Sequence, residues 1–226
     1  MNSYFDKDAI RNRMQQAQIE KYGKILTDEE IQHIQDKEHE DQTRKTTQLN
    51  IDKWMASVPA RFKNSTFESF ELVDPSAQAV INHLRSGQSA IISGSNGSGK
   101  THLAYASCLE QAMLGRSVCF VLAFDFFSEI KTSFDKGDPR HVVGKYAKYD
   151  YLVIDEADKV HGTQNEFVYL YSLINQRYDN MMPTVLVSNS DPETLMSVVG
   201  KSSFDRIASE GKVIEMKWKN YRQIRK

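Results

Sequence analysis

Gly94-Ser95-Asn96-Gly97-Ser98-Gly99-Lys100-Thr101 follows the apolar run Ala90-Ile91-Ile92 and fills every fixed position of the pattern G-x-x-x-x-G-K-[ST]. A strand that runs into such a loop and leaves it as a helix predicts a nucleotide-binding α/β fold. The glycines let the backbone curl until successive N–H groups point at a β-phosphate, and the helix starting there adds its positive dipole end. Lys100 then reaches the β- and γ-phosphates, and Thr101 can hold Mg²⁺. These residues, with His102 beside them, are assigned to a site for ATP or GTP.

Working outward, apolar runs alternate with helical patterns from Phe62 onward. Strands are expected at Ser89–Ser93, Ser117–Leu122, Tyr151–Asp155, Thr184–Ser188 and Val213–Trp218. Helices fall near Gly99–Leu114, Phe124–Lys136, Asn165–Asp179 and Pro192–Val199. Such alternation requires crossover connections, hence a parallel sheet covered on both faces.

Tyr151-Leu152-Val153-Ile154 is uninterruptedly apolar, as a doubly buried strand should be, and ends in Asp155-Glu156. Ligands of open α/β sheets bind beyond the strands' carboxyl ends. Asp155 can therefore hold Mg²⁺, and Glu156 can orient and deprotonate an attacking water. Asn189 follows the next strand, where its amide either bridges that water and the γ-phosphate or forms a turn in Ser188-Asn189-Ser190-Asp191-Pro192. Arg206, read as lying after the last crossover helix, either stabilises transition-state charge or pairs with Asp205 or Glu210.

The chain has 226 residues, 40% of them hydrophobic, enough for one core and a small appendage. Its formal charge of −1 gives no global attraction to nucleic acid or membrane. Cys108 and Cys119, the only cysteines, have no zinc or redox spacing and are expected in the core of a cytoplasmic protein. No apolar stretch reaches the ~20 residues needed to span a bilayer, and the N-terminus lacks a signal-peptide pattern. Residues 1–60 are polar: Ile10, Met14 and Ala17 share one helical face, and Thr27-Asp28-Glu29-Glu30 forms a capping box opening a second helix. That second helix carries few apolar residues up to Asn50, so the segment is either a partner-binding arm or a linker, with the globular domain at 61–226.

The stretch Phe67 to Arg222 resembles the AAA+ domain of the bacterial DnaC-type helicase loaders, their phage relatives and the IstB transposition helpers. The phosphate loop followed by His102-Leu103-Ala104, Leu152-Val153-Ile154-Asp155-Glu156, Pro183-Thr184 before Ser188-Asn189-Ser190, Asp205-Arg206, and Trp218-Lys219-Asn220-Tyr221-Arg222 carry the resemblance. It implies a five-stranded parallel sheet in the order 5-1-4-3-2, without a helical lid after the fifth strand. It also implies an ATPase in which Lys100, Thr101, Asp155, Glu156 and Asn189 act in one subunit and Arg206 reaches into the next. The implied partners are a DnaB-type replicative helicase hexamer, gripped by the arm through Ile10 and Met14, single-stranded DNA, and further copies forming an ATP-dependent spiral. No membrane is implied.

For single-stranded DNA, Phe134, with Lys131 nearby, matches a family aromatic on the helix after the second strand, and stacking on a base suits it. The alternative for Phe134 is a core face shared with Phe126, Phe127 and Ile130. Thr163 keeps the hydroxyl of a family serine on the loop after the third strand, but Asn165 replaces an aromatic, and Ser202 replaces a second arginine before the finger. The basic tail, interleaving Trp218 and Tyr221 with lysines and arginines, either follows a phosphate backbone or is a solvated end. Two other functions fit these residues: a transposition helper that coats duplex DNA, and an adaptor that merely senses ATP.

Overall fold

The computed structural model describes residues 7–71, 74–159 and 164–218, with backbone only at 7–12, 136, 164 and 165. The chain divides after Thr46 into two compact units. In the first, α1 (Lys7–Tyr22) is followed by a turn and the opening of α2 (Asp28–Ser57). The capping box forms as the sequence predicts: Thr27 Oγ1 accepts from the Glu30 N–H at 3.3 Å, and Glu30 Oε2 accepts from the Thr27 N–H at 3.0 Å. Lys24 donates to the same carboxylate, and Gln18 Oε1 accepts from the Leu26 N–H, which ties the turn back to α1. Met14 is 64% exposed, and Ile19 and Ile25 are exposed beside it along the chain.

The division after Thr46, rather than near residue 60, has a packing cause. Thr47, Ile51, Trp54 and Val58 lie at helical spacing, and Trp54 and Val58 belong to the core of the second unit. Trp54 packs on Tyr105, which stacks between Phe62 at 4.5 Å and Phe120 at 4.0 Å.

The second unit contains a parallel sheet of β1 (Ser89–Gly94), β2 (Val118–Leu122), β3 (Tyr151–Asp155), β4 (Thr184–Val187) and β5 (Gly211–Met216). The order is β2-β3-β4-β1-β5, the order implied by the resemblance. Alternate strand residues feed two cores. Ala90, Ile92, Val153 and Val185 pack under α3 (Ser76–Arg85), α4 (Lys100–Met113) and the last turns of α2. Ile91, Leu152, Ile154 and Leu186 pack under five helices on the other face. These are α5 (Ala123–Ser133), α6 (Arg140–Ala147), α7 (Gln164–Asp179), α8 (Pro192–Val199) and α9 (Lys201–Ser209).

Three of these helices, α3, α6 and α9, are absent from the expected set. Arg206 therefore lies on α9 and not beyond the last helix. The fifth strand begins at Gly211 rather than Val213, because pairing of Ser89 with Gly211 and Ala90 with Lys212 extends it past its apolar residues. Trp218, where the described residues end, lies outside that strand, and the expectation about a lid falls outside the described residues. Among the described residues no helix is long and apolar enough to cross a membrane.

The sheet's N-terminal end is locked by Arg177 of α7, which is fully buried. Its guanidinium donates to the carbonyls of Tyr146, Ala147 and Tyr149 at the end of α6, to the Pro183 carbonyl, and to Thr184 Oγ1 at the start of β4. Burial draws its pKa down to about 10, so it stays charged at neutral pH. No other side chain offers that fork of donors to so many acceptors. Arg177→Leu strands these buried acceptors and is expected to cost about 3 kcal/mol or more, read as a lowered midpoint in urea denaturation.

Candidate nucleotide site

The phosphate loop leaves β1 at Gly94 and enters α4 at Lys100. Gly97 and Gly99 have φ of 80° and 93°, a region that suits glycine. Space makes the same demand at Gly99, where a Cβ would lie 2.5 Å from Cε2 of Phe70. Lys100 is 5% exposed and its Nζ donates to the carbonyls of Gly94 at 2.7 Å and Ser95 at 2.9 Å. The ammonium is thus held inside the curl of the loop.

Two strands away, Asp155 ends β3 and is buried. Its Oδ2 accepts from the Thr101 hydroxyl at 2.8 Å, and its Oδ1 accepts from the Glu156 N–H at 2.7 Å. Burial pushes the Asp155 carboxyl above the ordinary carboxylate value and the Glu156 charge adds to the rise, against those two hydrogen bonds and the Lys100 charge. A hydroxyl and a carboxylate in contact are hard oxygen donors of the kind Mg²⁺ takes, so these residues fit the ion. Glu156 has φ of 55°, unusual for a side-chain-bearing residue, and its carboxylate pairs with Lys159 at 3.1 Å. Strained backbone at such a position is a mark of a functional site.

Asn189 follows β4, the strand between β1 and β3. Its N–H donates to Asp158 Oδ1 at 3.1 Å and Ser190 Oγ donates to Asp158 Oδ2, an anchor not read from the sequence. Asn96, Gly97, Gly99, Lys100 and Thr101 line one cavity of about 720 Å³ together with Asp155, Glu156 and Asn189. Gly94, Ser95 and Ser98 do not border it. His102 also borders the cavity, yet its Nε2 lies 3.0 Å from the Thr66 carbonyl and 3.2 Å from Ser69 Oγ, so it fastens the wall formed by residues 61–71. That wall, with Phe62, Asn64 and Phe70, was missed in the sequence; its only signal was the aromatic and polar cluster just before α3.

Other expected residues lie elsewhere. Arg206 does not border this cavity: its Nη2 donates to the Tyr171 hydroxyl at 3.2 Å, its guanidinium sits 4.9 Å from the Tyr171 ring centre, and Nη1 donates to the Ser202 carbonyl. Among the described residues it forms no ion pair with Asp205 or Glu210. Phe134, on a short 3-10 turn after α5, is 49% exposed with its ring edge against Tyr169, whereas Phe126, Phe127 and Ile130 are buried. Lys131 is exposed. Thr163 and residues 219–226 lie outside the described residues.

The family of IstB-like ATP binding proteins matches residues 7–226. The chain belongs to that family. It is 29% identical over 137 residues to the replicative helicase loader DnaC of Escherichia coli (strain K12), covering 59% of this chain and 56% of that protein. It thus spans little more than half the length of that relative. An ATP-binding protein of insertion sequence IS5376 from Geobacillus stearothermophilus is 28% identical over 134 residues, 57% of this chain and 53% of that protein. A crystal structure of the DnaC helicase loader superposes with a TM-score of 0.62 at 19% identity, covering 70% of this chain and 99% of that one, and shares this fold.

The raised pKa of Asp155 has a stability consequence. A carboxyl that is hard to ionise when folded weakens the fold at pH above its folded pKa. Asp155→Asn removes that charge, and the Thr101 hydroxyl can turn to accept from the amide. The variant should melt at a higher temperature than the parent at neutral pH without nucleotide. The gain should shrink as pH falls through the raised value and vanish below the ordinary carboxylate range, as followed by calorimetry.

Proposed function

We propose that this chain is an ATP-controlled loader of a DnaB-type replicative helicase, acting in the cytoplasm during replication initiation. The supporting observation is the convergence of Lys100, Thr101, Asp155, Glu156 and Asn189 on one cavity in a chain related to a helicase loader. Lys100 binds the β- and γ-phosphates, and Thr101 and Asp155 hold Mg²⁺, which when bound neutralises phosphate charge. Glu156, freed from Lys159, takes a proton from water as its oxygen bonds to the γ-phosphorus, and ADP leaves with the electron pair of the broken P–O bond. Asn189 orients that water. Arg206, which does not border its own cavity, supplies positive charge to the site of an adjacent copy in a spiral assembly.

The part of the expected arm that precedes Thr47 is the helicase contact, with Ile10 and Met14 as its apolar points. Phe134 and Lys131 are the proposed contacts to single-stranded DNA, together with Thr163. The insertion-sequence relative favours a second reading, a transposition helper on duplex DNA.

Two measurements test these assignments. Light scattering of the full chain with the helicase hexamer should show a complex heavier than the hexamer, lost on Met14→Glu with ADP affinity unchanged. No complex with the parent chain, together with retention of duplex DNA, selects the second reading. Separately, Glu156→Gln and Arg206→Ala should each cut ATP turnover at least about tenfold. Mixing the two variants should restore part of it, since some interfaces then combine an intact Glu156 with a neighbour's intact Arg206. No recovery on mixing refutes the role of Arg206 between subunits.

A further inference from the structure

Beyond β5 the chain turns Trp218 back onto the phosphate loop. Its Nε1–H donates to the Ser98 carbonyl at 2.9 Å; Trp218 is 9% exposed and Ser98 is wholly buried. A planar trans peptide points its C=O and its N–H in opposite directions. Fixing the Ser98 carbonyl toward Trp218 therefore aims the Gly99 N–H away from Trp218. Gly99 borders the nucleotide cavity, whereas Ser98 and Trp218 do not.

We propose that Trp218 is a positioning residue: by holding the Ser98 carbonyl, it turns the Gly99 N–H toward the β-phosphate of a bound nucleotide. A rotated plane would present the carbonyl oxygen there instead, repelling the anion and removing a donor. The flanking peptides are held by the Ser98 N–H on the Ser95 carbonyl at 3.3 Å and by the Leu103 N–H on the Gly99 carbonyl at 3.0 Å, whereas the bond from Trp218 acts on the Ser98–Gly99 plane itself. The αL conformation at Gly99 is open to rotation because glycine has no Cβ. Lys100 Nζ also meets Ser98, but at its Oγ and at a longer 3.5 Å.

The segment is well placed for this work. Gly94 pairs with Met216 across β1 and β5, and a Cβ on Gly94 would lie 2.4 Å from the Met216 carbonyl oxygen. The end of β5 thus abuts the start of the loop, and Trp218 reaches its far side.

The inference rests on the reading of this loop as the phosphate site, and the test separates the two. Binding of ADP and of AMP to the full chain is measured by calorimetry. Trp218→Phe should weaken ADP roughly tenfold and leave AMP, which has no β-phosphate, unchanged. Unchanged ADP affinity overturns the role, as does an equal loss for both nucleotides, which would mark Trp218 as a packing residue only. A Lys100→Ala chain that keeps full ADP affinity overturns the loop reading itself, and the Trp218 assignment with it. Should Trp218→Phe not fold, Trp54→Phe leaves Trp218 as the one indole of the two in the chain. Its emission should then shift on saturation with ADP and not with AMP; constant emission with ADP overturns the proposal.

Discussion

The hydrogen bond from Thr101 to Asp155 is the point on which the site depends, because it joins the phosphate loop to the end of a strand two places away in the sheet. It exists only if β1, β4 and β3 end level with one another. The registers Ile92 to Val187 and Ile154 to Leu186 achieve this, and the apolar, doubly buried strands tolerate no slip that would turn a side chain to the wrong face. Burying the Asp155 carboxylate costs free energy that its hydrogen bonds only partly offset. A carboxylate kept at that cost is better explained by a cationic ligand than by stability.

The two ends of the sheet divide the labour. At the carboxyl end, strained or cramped backbone collects at Gly97, Gly99 and Glu156. At the other end, Arg177 gathers carbonyls from the end of α6 and the turn before β4, and the Thr184 hydroxyl of β4, making the frame rigid where no chemistry occurs. A buried guanidinium bonded to neutral acceptors is an unusual lock, and it works because its donors are fixed in one plane.

What the sequence revealed follows from how residues signal. Strands β1, β3 and β4 and the loop were legible because a strand buried on both faces reads as an apolar run, and because glycine, lysine and threonine at fixed spacing have one cheap common explanation; β2, at the sheet edge and mostly half-buried, was legible from its apolar run Val118-Cys119-Phe120-Val121-Leu122. Edge strand β5 was misplaced, since Gly211 and Lys212 carry no apolar signal and are recruited by pairing alone. Helix α6 was missed because Val142, Val143 and Tyr146 are its only buried residues, in a segment interrupted by Gly144. The boundary read near residue 60 differs from the division into units after Thr46, because Trp54 and Val58 are too few to mark a core segment on a largely polar helix. Trp218 and Arg177 act on carbonyl oxygens, which every residue has, so no sequence pattern reports their partners.

The setting of Arg206 bears on the proposed assembly. A carboxylate partner would neutralise a guanidinium and have to be stripped away before that charge could serve a phosphate. Tyr171 instead holds it through a ring face and a hydroxyl, which fix direction while leaving a full positive charge. The Ser202 carbonyl adds a second restraint, at the position where DnaC-type loaders carry another arginine. An arginine held in this manner can meet the γ-phosphate of a neighbouring copy without breaking an ion pair. In the proposed assembly, nucleotide in one subunit would attract the next and loss of the γ-phosphate would remove that attraction, as the proposed loader role requires.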